Sequence, residues 1–263
     1  MSMCKQVLIS DLDGTLLNRN QQISQENKEA IKAFEVSGGK FTIATGRLLP
    51  SALPFIHKLD IQNPVILGNG TCIYCPKDKQ MLRTYLLTDR DQEIDRLWKL
   101  RSERVAVLGY IGDRIIVPYR NELILQYEQK DNVQCEECLT SPSKLNKLLV
   151  IGEEIIDAQQ AVGELLPEYV QSDSTYLELL PTGISKGRAL QELRQMQIFA
   201  GSYITAVGDQ LNDSSMLIEA DYGYAVGNAH EALKAIASEI TIHHEEHAIA
   251  AIIHAYCNIK RRS

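Results

Sequence analysis

Short apolar runs that stop abruptly in polar residues recur along the chain, and their spacing predicts its elements. Residues 7–9 read as a buried strand that ends in Asp11 and Asp13, with Gly14 letting the backbone turn away. Ser24 is placed to cap a helix reaching about Ser37, with Ala30, Ile31, Ala33 and Phe34 on its apolar face and Gly38 and Gly39 as its stop. Residues 41–44 form a second buried run that empties into Thr45, Gly46 and Arg47. Residues 65–67 repeat the pattern and empty into Gly68, Asn69, Gly70 and Thr71. Strand, helix and strand in this order predict a βαβ unit, hence a parallel sheet with a right-handed crossover.

Between about 82 and 182 the texture changes. A helix over 88–100 is expected, capped by Thr88, with Ile94, Leu97 and Trp98 inward. Strands are expected at 105–108 and 114–117, a helix at 121–130, a strand at 147–151, a helix at 154–166, and strands at 169–171 and 176–180. None of these strands ends in a carboxylate cluster. Paired strands with intervening helices predict an α+β domain, 82–182, inserted between two halves of a parallel-sheet core, 1–81 and 183–263.

The core pattern then resumes. A helix beginning near Lys186 carries Ala189, Leu190, Leu193 and Met196 on its buried side. Residues 203–207 are a further buried run that breaks into Gly208, Asp209, Gln210, Leu211, Asn212 and Asp213. Strands at 224–226 and 239–242 follow, separated by a helix that Gly227, Asn228 and Ala229 begin and that runs to Ile236. His243, His244 and His247 precede the apolar positions Ile249, Ile252 and Ile253, a pattern that favours a capped helix start over a metal cluster.

Composition narrows the function classes. A chain of 263 residues with 44% apolar content can bury a large core. A net charge of −7 argues against a general nucleic-acid binder, and the basic Lys260, Arg261 and Arg262 read as a solvated tail. With no run of about 20 apolar residues and no basic-then-apolar leader, neither membrane nor export is expected, and the protein is assigned to the cytoplasm. Six cysteines are then expected as thiols. Cys72/Cys75 and Cys135/Cys138 form two C-x-x-C pairs, but they are too far apart for a zinc ribbon, and Ile73 and Tyr74 look like strand residues.

Two carboxylates beside a buried strand are costly without a cation or a proton. Asp11 and Asp13 suit three readings. A simple turn is one. A calcium loop fails because its sixth position is Leu16 rather than glycine. The third is a nucleophilic carboxylate with an acid/base partner, sharing an oxygen-seeking ion such as Mg²⁺. Polar residues at the other strand ends favour the third, since a parallel sheet binds ligands outside the carboxyl ends of its strands. Lys186 adds to it: a lysine at a helix start is poorly placed unless an anion lies beside it. Asp and Asn oxygens suit a hard cation, whereas Thr and Lys suit an anion, and a phosphate satisfies both.

These residues carry a resemblance. DLDGT at 11–15, ATGR at 44–47, Lys186 in GISKG and GDQLND at 208–213 resemble, in order, the four motifs of the haloacid dehalogenase (HAD) superfamily of phosphohydrolases, in its Cof-type branch with a large α/β cap. The resemblance implies a Rossmann-like parallel-sheet core, the HAD fold, with the inserted α+β domain as its cap. It implies that Asp11 attacks phosphorus to form an aspartyl-phosphate and that Asp13 serves as acid and then base. Thr45, Gly46 and Lys186 would hold phosphoryl oxygens. Mg²⁺ would be bound by Asp11, Asp209 and the Asp13 backbone carbonyl, with Asp213 and Asn212 orienting waters or phosphate. Arg47 and Asn69 would face the cleft beneath the cap. Substrate choice would sit in the cap, where Tyr110, Arg114 and Tyr119 are candidates only through their place on turns and strand edges, a structural role being the favoured reading of each. The expected partner is a small phosphorylated metabolite. A phosphotransferase or phosphomutase on the same core, or a non-enzymatic phosphometabolite sensor, are the alternatives.

Overall fold

The computed structural model describes residues 5–88 and 90–260; of the basic terminus, Arg261 and Arg262 lie outside them. The central sheet has five strands, in the order Glu239–Ile240, Tyr222–Ala225, Ser202–Gly208, Lys5–Ser10 and Lys40–Ile43, all parallel. Its first strand is buried from Val7 to Ser10, as a strand covered on both faces must be. Register matters most for function. Ser10 pairs with Val207 on one side and Ile43 on the other. The residues that follow each strand, Asp11, Asp209 and Thr45, therefore leave the sheet along one edge. A parallel bridge from Ala44 to Ile66 joins a three-stranded antiparallel sheet, Val65–Leu67, Cys72–Cys75 and Gln80–Thr84, so Asn69 emerges at the same edge.

Ser24 caps the Gln25–Val36 helix as expected, its hydroxyl accepting from Asn27 N at 3.2 Å, an interaction of about 1 kcal/mol. Asn27 is itself buried and bonds Leu16 O and Ala250 N, which ties the loop after Asp11 to the C-terminal helix Ala248–Lys260.

The inserted segment forms a six-stranded sheet, in the order Tyr169–Asp173, Tyr176–Leu179, Lys147–Gly152, Val105–Ile111, Arg114–Val117 and Cys135–Glu137, antiparallel except for the last pair. One face packs on Leu97, Trp98, Ala158 and Val162. The other carries Leu108, Tyr110 and Leu149, which cluster with Ile124 and Tyr127 of the Glu122–Asp131 helix and with core residue Leu48.

Local differences from the sequence reading have identifiable causes. The helix expected from Thr88 spans Asp91–Trp98, because the incoming chain is tied through Leu87 N to Leu145 O at 2.7 Å. The helix expected from Gly227 spans only Glu231–Lys234, with His230 as its cap. Gly227 N is bound to Ile242 O, and Asn228 bonds two other loops. The helix at Ile155–Val162 gives way to a 3₁₀ turn at Gly163, whose φ of +62° no α-helix accepts. Met196 follows the Lys186–Gln195 helix half-buried, and Glu192 takes a buried place instead. The Leu49–Lys58 helix, with Pro50 in its first turn and Pro54 inside, has no counterpart in the expected elements. The two C-x-x-C pairs sit on different sheets, and their four cysteines are free thiols.

Candidate active site

Asp11 stands at the end of its strand, buried, with its backbone N bound to Val207 O at 2.9 Å. Lys186 opens the helix capped by Ser185 and is fully buried. Its Nζ donates to Asp11 Oδ1 at 2.6 Å and to Asp213 Oδ1 at 2.7 Å. The second Asp213 oxygen accepts from the backbone of Asp209 at 2.9 Å and of Gln210 at 3.2 Å. Asp213 is thus held in place on both oxygens, and it holds Lys186 in turn.

Asp209 completes the cluster. Thr15 Oγ1 donates to its Oδ1 at 3.1 Å, and Gly14, at φ +71°, makes room for it: a Cβ there would lie 2.4 Å from Asp209 Oδ2. Among the described residues, Asp11, Asp209 and Asp213 form the group able to hold a metal, with ligand atoms all within 4.8 Å of one another. Burial pushes the Asp11 carboxyl up to about 7, against the lowering effect of Lys186 and with the help of Asp213 and Asp13. Burial likewise raises Asp209 well above the carboxylate range, with Asp11 and Asp213 adding to it. Burial opposes charge on Lys186, but Asp11 and Asp213 outweigh it and keep the ammonium. One cation faces three buried carboxyls, so Asp11 and Asp209 are held toward their protonated forms until a second cation takes the place of the protons. Asn212 Oδ1 is also buried without a hydrogen-bond partner. This oxygen-only donor set, rich in charge and with an acceptor to spare, fits a hard divalent cation.

The Asp13 side chain is outside that group. Arg47 grips it with two bonds, Nε to Oδ2 and Nη2 to Oδ1, both 2.8 Å. The same Nη2 donates to Gln21 Oε1 at 2.6 Å and lies 3.6 Å from Asp131 of the inserted layer. Burial pushes the Asp13 carboxyl up, but the Arg47 guanidinium outweighs it and holds it below its ordinary value. Asp13 is therefore a carboxylate here, next to a cation that also reaches the other layer.

Thr45 and Asn69 are buried, Thr45 Oγ1 accepting from Arg47 N at 3.1 Å. Asn69 is a junction: its Nδ2 donates to Glu178 Oε2 at 2.6 Å, and its Oδ1 accepts from Asn212 at 3.0 Å. Lys147 Nζ bonds Gly46 O at 2.8 Å and Glu178 Oε2 at 3.0 Å. The two layers enclose a cleft of about 80 Å³, bordered by Asp11, Asp13, Gly46, Arg47, Asp209 and Asn212 on one side and by Tyr110, Lys147 and Glu178 among others on the opposite one.

Sequence reasoning reached the core groups, and the structure brings Asp11, Lys186, Asp209 and Asp213 together. Arg47 borders the cleft but is engaged with Asp13, and Asn69 is engaged with Glu178. Of the three inserted-layer residues considered, Tyr110 borders the cleft. Arg114 pairs instead with Glu136, and Tyr119 with Glu103. The histidines fall outside the cluster: His243 caps the His244–Glu246 turn, His244 Nδ1 meets Leu17 O at 2.7 Å, and His247 adopts φ +65°. Gln21, Asp131, Lys147 and Glu178 were missed. Each is a single polar residue in an unremarkable local pattern, and only the docking of the two layers marks it out.

Comparison with known proteins agrees with this geometry. The profile of the haloacid dehalogenase-like hydrolases matches residues 8–253. The 5-amino-6-(5-phospho-D-ribitylamino)uracil phosphatase YcsE of Bacillus subtilis is 30% identical, over 92% of this chain and 92% of its own. A chloroplastic endoribonuclease YBEY of Arabidopsis thaliana is 28% identical over 95% of this chain, which spans 46% of that longer protein. Among solved structures, a haloacid dehalogenase-like hydrolase from B. subtilis has a TM-score of 0.80 at 26% identity, covering 94% of this chain and 98% of its own.

Proposed function

From the premise that the chain belongs to the haloacid dehalogenase-like hydrolase family and is a phosphatase, we propose that it is Mg²⁺-dependent and hydrolyses small phosphomonoesters, sugar phosphates or related metabolites, through an aspartyl-phosphate on Asp11. The observation that carries this reading is the 2.6 Å contact between Lys186 Nζ and Asp11 Oδ1 beside Asp209. A carboxylate nucleophile and a dianionic ester repel each other, and a buried ammonium between them lowers that repulsion.

In the first step an Asp11 oxygen attacks phosphorus as the bond to the leaving oxygen breaks, and Asp13 delivers a proton to that oxygen. In the second, Asp13 takes a proton from water, the water oxygen bonds to phosphorus, and the Asp11–phosphorus bond breaks to free inorganic phosphate. Thr45, Gly46 and Lys186 hold the phosphoryl oxygens. Asp13 needs a proton to begin, and Arg47 opposes one; an incoming phosphate is a competing anion for the guanidinium and so releases Asp13. Asp11, Asp209 and the Asp13 carbonyl would hold Mg²⁺, with Asp213 and Asn212 nearby, and the ion would neutralise charge on the transferring phosphoryl group. We further propose that 82–182 forms a cap over the core made of 1–81 and 183–263.

The test is phosphate release from a panel of phosphorylated metabolites, with Mg²⁺ and with EDTA. Release that stops on chelation and returns with Mg²⁺ is expected. No release from any monoester in Mg²⁺ overturns the reading.

A further inference from the structure

In-line displacement sends the leaving group away from the nucleophile, and across the cleft from Asp11 stands the inserted sheet. Two ion pairs border the cleft there. Lys147 Nζ lies 3.0 Å from Glu178 Oε2, with both side chains almost fully buried. Lys130 Nζ lies 2.5 Å from Asp173 Oδ2, both half-exposed. Each lysine also rests on a tyrosine ring, Lys147 at 4.5 Å from the Tyr110 centroid and Lys130 at 4.7 Å from that of Tyr176.

A buried ion pair is a poor source of stability, because desolvation cancels much of its attraction. Glu178 is nevertheless held on both oxygens, by Lys147 and Asn69 on one and by Ser172 Oγ at 2.8 Å on the other, which leaves the second oxygen a lone pair to accept with. An ammonium offers only donors and a carboxylate only acceptors. Side by side they complement a hydroxyl, which accepts and donates at once. Charge points the same way. The inserted layer gives the cleft two lysines against Asp131, Asp173 and Glu178, so no surplus positive charge is left for a second phosphate. The lysines also cover one face each of Tyr110 and Tyr176, removing stacking surface that a flat ring would use.

We propose that the Lys147–Glu178 and Lys130–Asp173 pairs are the specificity-determining groups of this site, reading the hydroxyls of a neutral polyol leaving group and disfavouring one that carries a second anion. This rests on the phosphatase reading and assigns its selectivity to four named side chains. Glu178 and Lys147, fixed by Asn69 and by the Gly46 carbonyl, are in place before substrate arrives, which reduces the ordering cost of binding.

The experiment compares kcat/KM for a hexitol monophosphate, a hexose bisphosphate and p-nitrophenyl phosphate, which has no leaving-group hydroxyl to read, in the unaltered protein and in Glu178→Gln and Lys130→Met. The unaltered protein is expected to prefer the monophosphate to the bisphosphate by about tenfold or more. Each variant is expected to lower the ratio of hexitol phosphate to p-nitrophenyl phosphate by about tenfold, mainly through KM. Lys130 is half-exposed, so its variant tests the idea even where Glu178→Gln disturbs folding. Equal loss on both substrates, or preference for the bisphosphate, overturns the assignment while leaving the phosphatase reading intact. No hydrolysis of any of the three overturns both.

Discussion

Lys186 Nζ donates to Asp11 Oδ1 at 2.6 Å across a separation of 175 residues in the chain. The contact joins the end of the first strand to the start of a helix beyond the inserted layer, and the same ammonium reaches Asp213. Two of the three buried carboxyls of the cluster are thus bound to a single cation, and Asp209 stands beside them.

Lys186→Met leaves those carboxyls without their ammonium. Losing one partner of a buried pair costs about 3–5 kcal/mol, so denaturant unfolding at neutral pH is expected to show a loss of that order. Phosphate release should fall by about 10²-fold or more, as for removal of a group that stabilises developing charge. Retained stability with retained activity would remove Lys186 from the site.

Asp11→Asn keeps the size of the side chain and removes the proposed nucleophile. Turnover is expected to drop by about 10⁴-fold or more, while circular dichroism stays that of the folded protein. Beryllofluoride, a mimic of an acyl-phosphate, should bind the unaltered protein at Asp11 and fail to bind this variant, as crystallography or fluorine NMR would reveal.

Stability should depend on pH and on the divalent ion together. Asp11 rises from the ordinary 3.8 to about 7 on folding, and Asp209 shifts in the same direction. Their raised values favour the folded state fully below 3.8, and that contribution is lost as pH climbs to about 7. Lys186 is also raised, but its contribution disappears only in the alkaline range and is constant through this window. Without a divalent ion, the melting temperature is therefore expected to fall from pH 4 to 7. Added Mg²⁺, which needs the ionised carboxylates, should stabilise more as pH rises. A melting temperature that Mg²⁺ leaves unchanged at pH 8 would contradict the proposed ion site.

Gly14→Ala places a methyl group 2.4 Å from Asp209 Oδ2 at a φ of +71°. The backbone strain alone costs about 1–2 kcal/mol, and Asp209 must move. Calorimetric titration is expected to show Mg²⁺ affinity weakened by about tenfold or more. Gly38→Ala, also at positive φ but with open space around it, should lose stability and keep the affinity, which separates strain from displacement.

The core was legible because its signals are local. Buried strands read as apolar runs, and Asp11, Thr45 and Asp209 each end such a run, where a polar residue is costly unless it has a use. The Leu49–Lys58 helix escaped because Pro50 and Pro54 disguise it, although a first-turn proline costs nothing. The inserted layer was legible as alternating strands and helices, but the expected start of its first helix was wrong, since a long-range bond from Leu87 to Leu145 decides it.

By itself, then, the order of residues determined the parallel core, the inserted layer and the set of groups meeting at one edge, because strand periodicity and strand-end polarity are properties of neighbouring positions. Tertiary structure alone decided the partners. Arg47 turned to Asp13, Asn69 to Glu178, and Lys147 to the Gly46 carbonyl. Each partnership depends on how one layer docks on the other or how one loop folds back on the next, and at such distances along the chain only the three-dimensional packing chooses which donor meets which acceptor.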